Sequence, residues 1–89
     1  MTSHLSDLEF NYDPQSDVMY FSIGKPRPAI TEPIDEEDDD ILVRFDMTSN
    51  EVCGLTVLGY SHIDKSYLLK VLQDNYPELV DPITIAIAS

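Results

Sequence analysis

Six consecutive carboxylates, Asp35, Glu36, Glu37, Asp38, Asp39 and Asp40, are the densest group of chemically active side chains in this 89-residue chain. Hard divalent cations are held by several carboxylate oxygens, so metal binding is one chemistry open to the run. Its spacing departs from an EF-hand loop, which needs Gly at the sixth position and Glu at the twelfth. The other readings are docking to a basic protein surface and a solvated loop that only maintains solubility. His4 and His62 are the only histidines. A general acid or base needs an orienting carboxylate and a nucleophile or water. Ser61 and Asp64 lie beside His62, but polar residues where a helical period begins read as a cap. Cys53 has no basic neighbour in sequence to favour a thiolate and is expected as a small buried residue. The five tyrosines, Tyr12, Tyr20, Tyr60, Tyr67 and Tyr76, could line a recognition surface or sit half-buried with wet hydroxyls. No Cys/His spacing suits zinc and no glycine loop suits phosphate. The sequence therefore nominates no catalytic residue, no metal ligand and no cofactor. Only Asp35–Asp40 stands out, as a protein-interaction element.

The balance of charge narrows the partners. Seventeen acids against five bases give a net charge of −12, and seven of those acids fall between Glu32 and Asp40. Such a surface repels nucleic-acid phosphates and anionic membranes, which leaves a basic protein as the natural complement. No apolar run approaches the roughly 18 residues needed to cross a bilayer. The first residues carry no basic start and no apolar stretch, so no secretory signal is visible. One cysteine excludes an internal disulfide and fits a reducing compartment, and the expected location is the cytoplasm.

The elements that must position these groups follow from periodicity. A pattern of aromatic residue, Asp, polar turn and alternating apolar run occurs twice, at Tyr12–Phe21 and at Phe45–Leu55. Each copy reads as a β-hairpin. Strands are expected over Leu8–Tyr12, Asp17–Ile23, Ile41–Phe45 and Val52–Leu58. Both faces of the second carry apolar residues, which predicts cover on both sides. Residues 1–7 lack periodicity and should fray. The prolines of Gly24-Lys25-Pro26-Arg27-Pro28 end the second strand, and residues 29–40 form a long connection. Within it Thr31–Ile34 is expected to be extended, as an edge strand interrupted by Pro33. Gly54 and Gly59 mark a bulge or a close backbone approach. Ile63, Tyr67, Leu68, Val71 and Leu72 recur at helical spacing and predict a helix over His62–Tyr76, capped by Ser61 or Asp64 and stopped by Pro77. The tail Ile83–Ile87 alternates like a strand that could join the sheet edge, pair with a second subunit or remain free.

The order of these pieces resembles a known family. Phe10-Asn11-Tyr12-Asp13-Pro14-Gln15-Ser16-Asp17-Val18-Met19-Tyr20-Phe21 is similar to the opening of DUF2283 proteins, which run Tyr-Asp, a short acidic turn, then an apolar residue before a Tyr. Ile41-Leu42-Val43-Arg44-Phe45-Asp46 and Val52-Cys53-Gly54-Leu55-Thr56-Val57-Leu58 continue the likeness, which covers about residues 8–61. The turn Met47-Thr48-Ser49-Asn50 departs from it by lacking a Gly, and Ser61 follows Gly59-Tyr60 in place of a small acidic linker. The resemblance implies a compact β-rich domain of no established activity. It further implies that some relatives act beside small toxins as antitoxin-like partners. It offers no catalytic residues to carry over.

The expected fold is α+β: one domain over residues 1–89, a small antiparallel β-meander of about four strands with one C-terminal helix packed on one face. The expected function is a non-enzymatic interaction domain that binds a basic protein. The alternatives are a self-assembling homo-oligomer, a homodimer included, and a small metal-binding protein.

Overall fold

Alternating apolar and polar residues build five strands, and helical spacing then takes over. A computed structural model, which describes residues 8–24 and 27–88, contains β1 (Leu8–Asp13), β2 (Val18–Ile23), β3 (Ala29–Asp35), β4 (Asp38–Asp46) and β5 (Val52–Leu58). These are followed by α1 (Lys65–Asn75), a 3₁₀ turn (Pro77–Leu79) and α2 (Val80–Ala88). Residues 1–7, expected to fray and including His4, lie outside the described residues, as do Lys25 and Pro26. The class is α+β, an antiparallel sheet followed by helices.

The sheet has five strands in the order β1-β2-β5-β4-β3, not the four of a simple meander. The fifth is the expected extended segment, which is longer than Thr31–Ile34 and pairs with β4 from Ala29↔Asp46 to Asp35↔Asp38. Glu32 and Pro33 suit this strand to an edge, because Pro cannot donate to a ladder on both sides. β2 buries Met19 and Phe21, at 8% and 1% exposure, so it takes an inner position beside β5. The chain must therefore cross from β2 to the far edge. Arg27 ties the crossing by donating to the Ile23 carbonyl at 2.6 Å and to Asp46 Oδ2 at 3.2 Å. The Met47 N–H donates to the Pro28 carbonyl at 3.2 Å.

The doubled sequence pattern is one turn used twice. Asp13 Oδ1 accepts from the N–H groups of Gln15 and Ser16 at 3.0 and 3.4 Å. Asp46 Oδ1 accepts from Thr48 and Ser49 at 2.7 and 3.2 Å. Four residues after each of these, Asp17 and Asn50 adopt φ values of 56° and 63°. Asp and Asn tolerate that left-handed region because their short side chains bond locally.

The core lies between one sheet face and the helices. Met19, Phe21, Ile41, Val43, Leu55 and Val57 meet Leu68 and Leu72 of α1 and Leu79, Ile83 and Ala86 beyond it. Tyr76 meets Phe45 edge to face at 6.2 Å. Asp64 is the cap of α1, accepting from Ser66 N–H, so the helix is shorter than His62–Tyr76. The tail is helical, which corrects the strand expected over Ile83–Ile87. Its run also places Val80, Ile83 and Ala86 at helical spacing, and short apolar runs fit both periods. Helix lets Ile83 and Ala86 sink into the core, at 1% and 8% exposure, and Pro82 falls in the first turn, where its missing N–H costs nothing.

The other sheet face has no core partner among the described residues. Tyr20 on β2, Leu42 and Arg44 on β4 and Leu58 on β5 are half-buried to exposed there. Val18 and Thr56, at 8% and 9%, are buried on that face, as is Gly54. The cover expected on both sides of the second strand is therefore not a second layer of described structure.

Candidate functional site

The acidic run caps one end of the sheet. Asp35 pairs with Asp38 across a turn made of Glu36 and Glu37, whose geometry is set by Glu37 N–H donating to Asp35 Oδ1 at 3.1 Å. Asp35, Glu36, Glu37, Asp39 and Asp40 are all exposed. Ile41, fully buried, starts the core part of β4. Strand alternation then places Asp39 on the core side of the ribbon and Asp40 on the other, so carboxylates flank the tip on both faces. Mutual repulsion and hydration keep them in water, whereas the apolar residues that follow are drawn into the core. Among the described residues no group of three His, Cys, Asp or Glu side chains is arranged to hold a metal ion.

At the same end, Asp17 gathers side chains from two loops. Tyr12 donates its hydroxyl to Asp17 Oδ1 at 2.5 Å; Ser61 donates its N–H to the same oxygen at 2.9 Å and its hydroxyl to Oδ2 at 2.7 Å. The Asp17 carbonyl accepts from Tyr60 N–H at 3.0 Å. These bonds hold the Asp17 carboxyl below its ordinary pKa, the Tyr12 hydroxyl contributing most and Ser61 next. The reciprocal effect raises Tyr12 above its ordinary value, chiefly through the bond to Asp17. His62 Nε2 lies 4.0 Å from Asp17 Oδ2 and is exposed. Ser, His and Asp thus meet without the relay that nucleophilic catalysis needs: Ser61 donates to the carboxylate itself, and Asp64 is committed to the helix cap. The arrangement locks the first hairpin to the loop before α1. Lys65 reinforces it, donating to the Tyr60 and Ile63 carbonyls at 2.7 and 3.2 Å with its ammonium 4.2 Å from the Tyr60 ring centre.

Sequence reasoning paired His62 with Asp64 and missed Asp17, which is 44 residues from Ser61. Its one local signal was its place at the end of a turn that also contains Asp13. Arg27 was missed as well, because its partner Asp46 is brought to it only by the crossing. Bonds from Thr48, Ser49 and then Arg27 hold the Asp46 carboxyl below its ordinary range. Cys53 is buried, as its surroundings in sequence imply. The tyrosines do not form one surface. Tyr12 and Tyr60 meet at 5.8 Å, Tyr76 packs against Phe45, and Tyr20 and Tyr67 project from β2 and α1.

Toward the opposite end of the sheet from the acidic tip, a cleft of about 320 Å³ is lined by Leu8, Ile23, Val52, Leu79 and Pro82 with Glu51 and Glu78. It contains none of Asp35–Asp40 and none of the Asp17 cluster. No described helix is long and apolar enough to cross a membrane.

Comparison with curated proteins and with solved structures finds no match. The sequence model of a family described as "Protein of unknown function (DUF2283)" matches residues 9–61, which span the two like hairpins, the edge strand between them and Ser61 of the Asp17 cluster. That match covers more than half of the chain and the whole sheet except Leu8, and so the chain belongs to the DUF2283 family.

Proposed function

We propose that this chain is a non-enzymatic interaction domain that presents Asp35–Asp40 to a basic protein surface, as an antitoxin-like neutralising partner does. The observation that carries the reading is the hairpin itself. A two-stranded ribbon, anchored through Ile41 and Val43 in the core, ends in a turn of exposed carboxylates with more of them on both of its faces. Charge gathered at an exposed hairpin end accelerates encounter with an opposite surface and orients it. The buried, unpaired Cys53 suits a reducing compartment, so we place this activity in the cytoplasm.

The test compares the intact protein with a variant carrying Asn or Gln at all six positions. Partners captured from native lysate are identified, and the affinity of the best one is then measured with purified proteins. The variant should bind that partner at least tenfold more weakly. The intact protein should weaken steeply as salt shortens the Debye length from about 8 Å at physiological strength to about 3 Å at 1 M. Equal affinity of the two forms, or salt-independent binding, would remove the acidic hairpin from the account.

A further inference from the structure

We infer that β1 is a self-association edge: two copies of this chain pair antiparallel through Leu8–Asp13, with Phe10 directly opposite the partner's Phe10. The sheet has two edges, and they are built differently. β3 carries Glu32, Pro33 and Asp35, and its register shifts between Pro33 and Asp35. Proline, charge and irregularity are the usual protections against edge-to-edge pairing. β1 carries as many acids, Glu9 and Asp13, but it has no proline and its register with β2 is unbroken from Leu8↔Ile23 to Asp13↔Val18. Its Phe10 and Tyr12 are 49% and 38% exposed, on the same sheet side as their partners Phe21 and Met19, which are buried.

The phase of the ladder decides which main-chain groups are free. In the second hairpin Asp46 N–H donates to the Glu51 carbonyl, so the corresponding pair in the first, Asp13 and Val18, is a hydrogen-bonded pair. Antiparallel ladders alternate. The main-chain groups of Asp13, Asn11 and Glu9 therefore face β2, and those of Leu8, Phe10 and Tyr12 face outward. A two-fold pairing must join outward-facing residues and keep the two apolar sides together.

Charge then selects among the remaining registers. Centred on Phe10, Leu8 lies opposite the partner's Tyr12 and Glu9 opposite the partner's Asn11. Sliding one step either way sets Glu9 against the partner's Glu9 or the partner's Asp13, and like charges directly opposite are destabilising. Within Leu8–Asp13, only the Phe10-centred register faces each Glu9 with an amide and pairs all three outward-facing residues, forming about six main-chain hydrogen bonds where either slide forms about four. The edge is thus complementary to itself. The acidic tips, on the far side of each sheet, stay clear of the contact, so this inference stands or falls apart from the proposed function.

Directly opposed residues in a hydrogen-bonded pair lie about 5.5 Å apart at Cα, within reach of a disulfide. Phe10→Cys, oxidised at moderate salt, should convert for the greater part into a covalent dimer. Glu9→Cys and Asn11→Cys should each stay uncross-linked alone and cross-link when mixed. The protein without added cysteines should sediment at twice 10.1 kDa in the upper micromolar range, and Phe10→Pro, which removes an outward donor, should sediment as a folded monomer. A monomeric unmodified protein at about a hundred micromolar would overturn the inference. Equal cross-linking of Phe10→Cys and Asn11→Cys would do so too, even if Phe10→Pro failed to fold.

Discussion

Gly54 of β5 sits against the backbone of β2, and adding a methyl group there tests the packing of the sheet. A Cβ at this position would lie 2.8 Å from the Phe21 carbonyl oxygen, 3.4 Å from Arg44 Cδ and 3.5 Å from Arg44 Nη1. The arginine side chain can swing aside; the carbonyl belongs to the backbone of β2, whose Phe21 is 1% exposed in the core. Relief at Gly54 must therefore displace β2 or β5 and disturb the opposite face. Overpacking of this kind costs about 1–3 kcal/mol. With a urea slope of about 1 kcal/mol/M for a small domain, the Gly54→Ala midpoint should fall by about 1–3 M at unchanged slope. Gly59 is the control, since nothing lies within 4 Å of its Cβ position but its φ is +63°. Gly59→Ala should cost about 1 kcal/mol through backbone conformation alone. Asn, which tolerates that conformation, should recover stability at residue 59 and lose more than Ala at residue 54. Urea titration followed by far-ultraviolet circular dichroism reads all four variants. A Gly54→Ala midpoint within error of the unmodified protein, or the same order of Ala and Asn at both sites, would refute the steric reasoning.

Two further outcomes follow from the core and from the Asp17 cluster. Leu68 is fully buried between α1 and the sheet, so Leu68→Ala should lower unfolding stability by about 2–5 kcal/mol in the same titration; a loss under about 1 kcal/mol would mean that α1 does not pack there. The Asp17 carboxyl is held below its ordinary pKa by Tyr12 and Ser61, so its stabilising effect is complete above the unfolded value of about 3.9 and is lost as pH falls through the lower folded value. Unfolding curves at a series of pH values should show this acid loss flattened in Asp17→Asn, and an unchanged profile in that variant would assign the loss to other carboxylates.

The legible parts of the fold were those written in short-range pattern. Alternation in Met19-Tyr20-Phe21 and in Ile41-Leu42-Val43 marked strands, and in the latter also the core side, since successive side chains point to opposite faces. The repeated aromatic residue, Asp and polar turn marked two like hairpins, because turn chemistry acts within about five residues. The acidic hairpin was legible as solvated charge for the same local reason. Ile83–Ile87 was not, because four apolar residues in a run of five satisfy both periods and only the space beside α1 chose between them. The pairing of β2 with β5, the crossing held by Arg27 and the meeting of Asp17 with Ser61 were invisible for a different reason. Each joins residues far apart in sequence, and nothing in either segment names the other.

Residue order alone thus determined the two hairpins, the inward side of Ile41–Phe45 and an acidic run that must face water. Tertiary structure decided which strands lie at the edges and that the tail coils over the core. The division is physical. Turn chemistry and side-chain alternation act over a few residues, whereas strand order and helix packing are settled by which apolar faces can be buried at once.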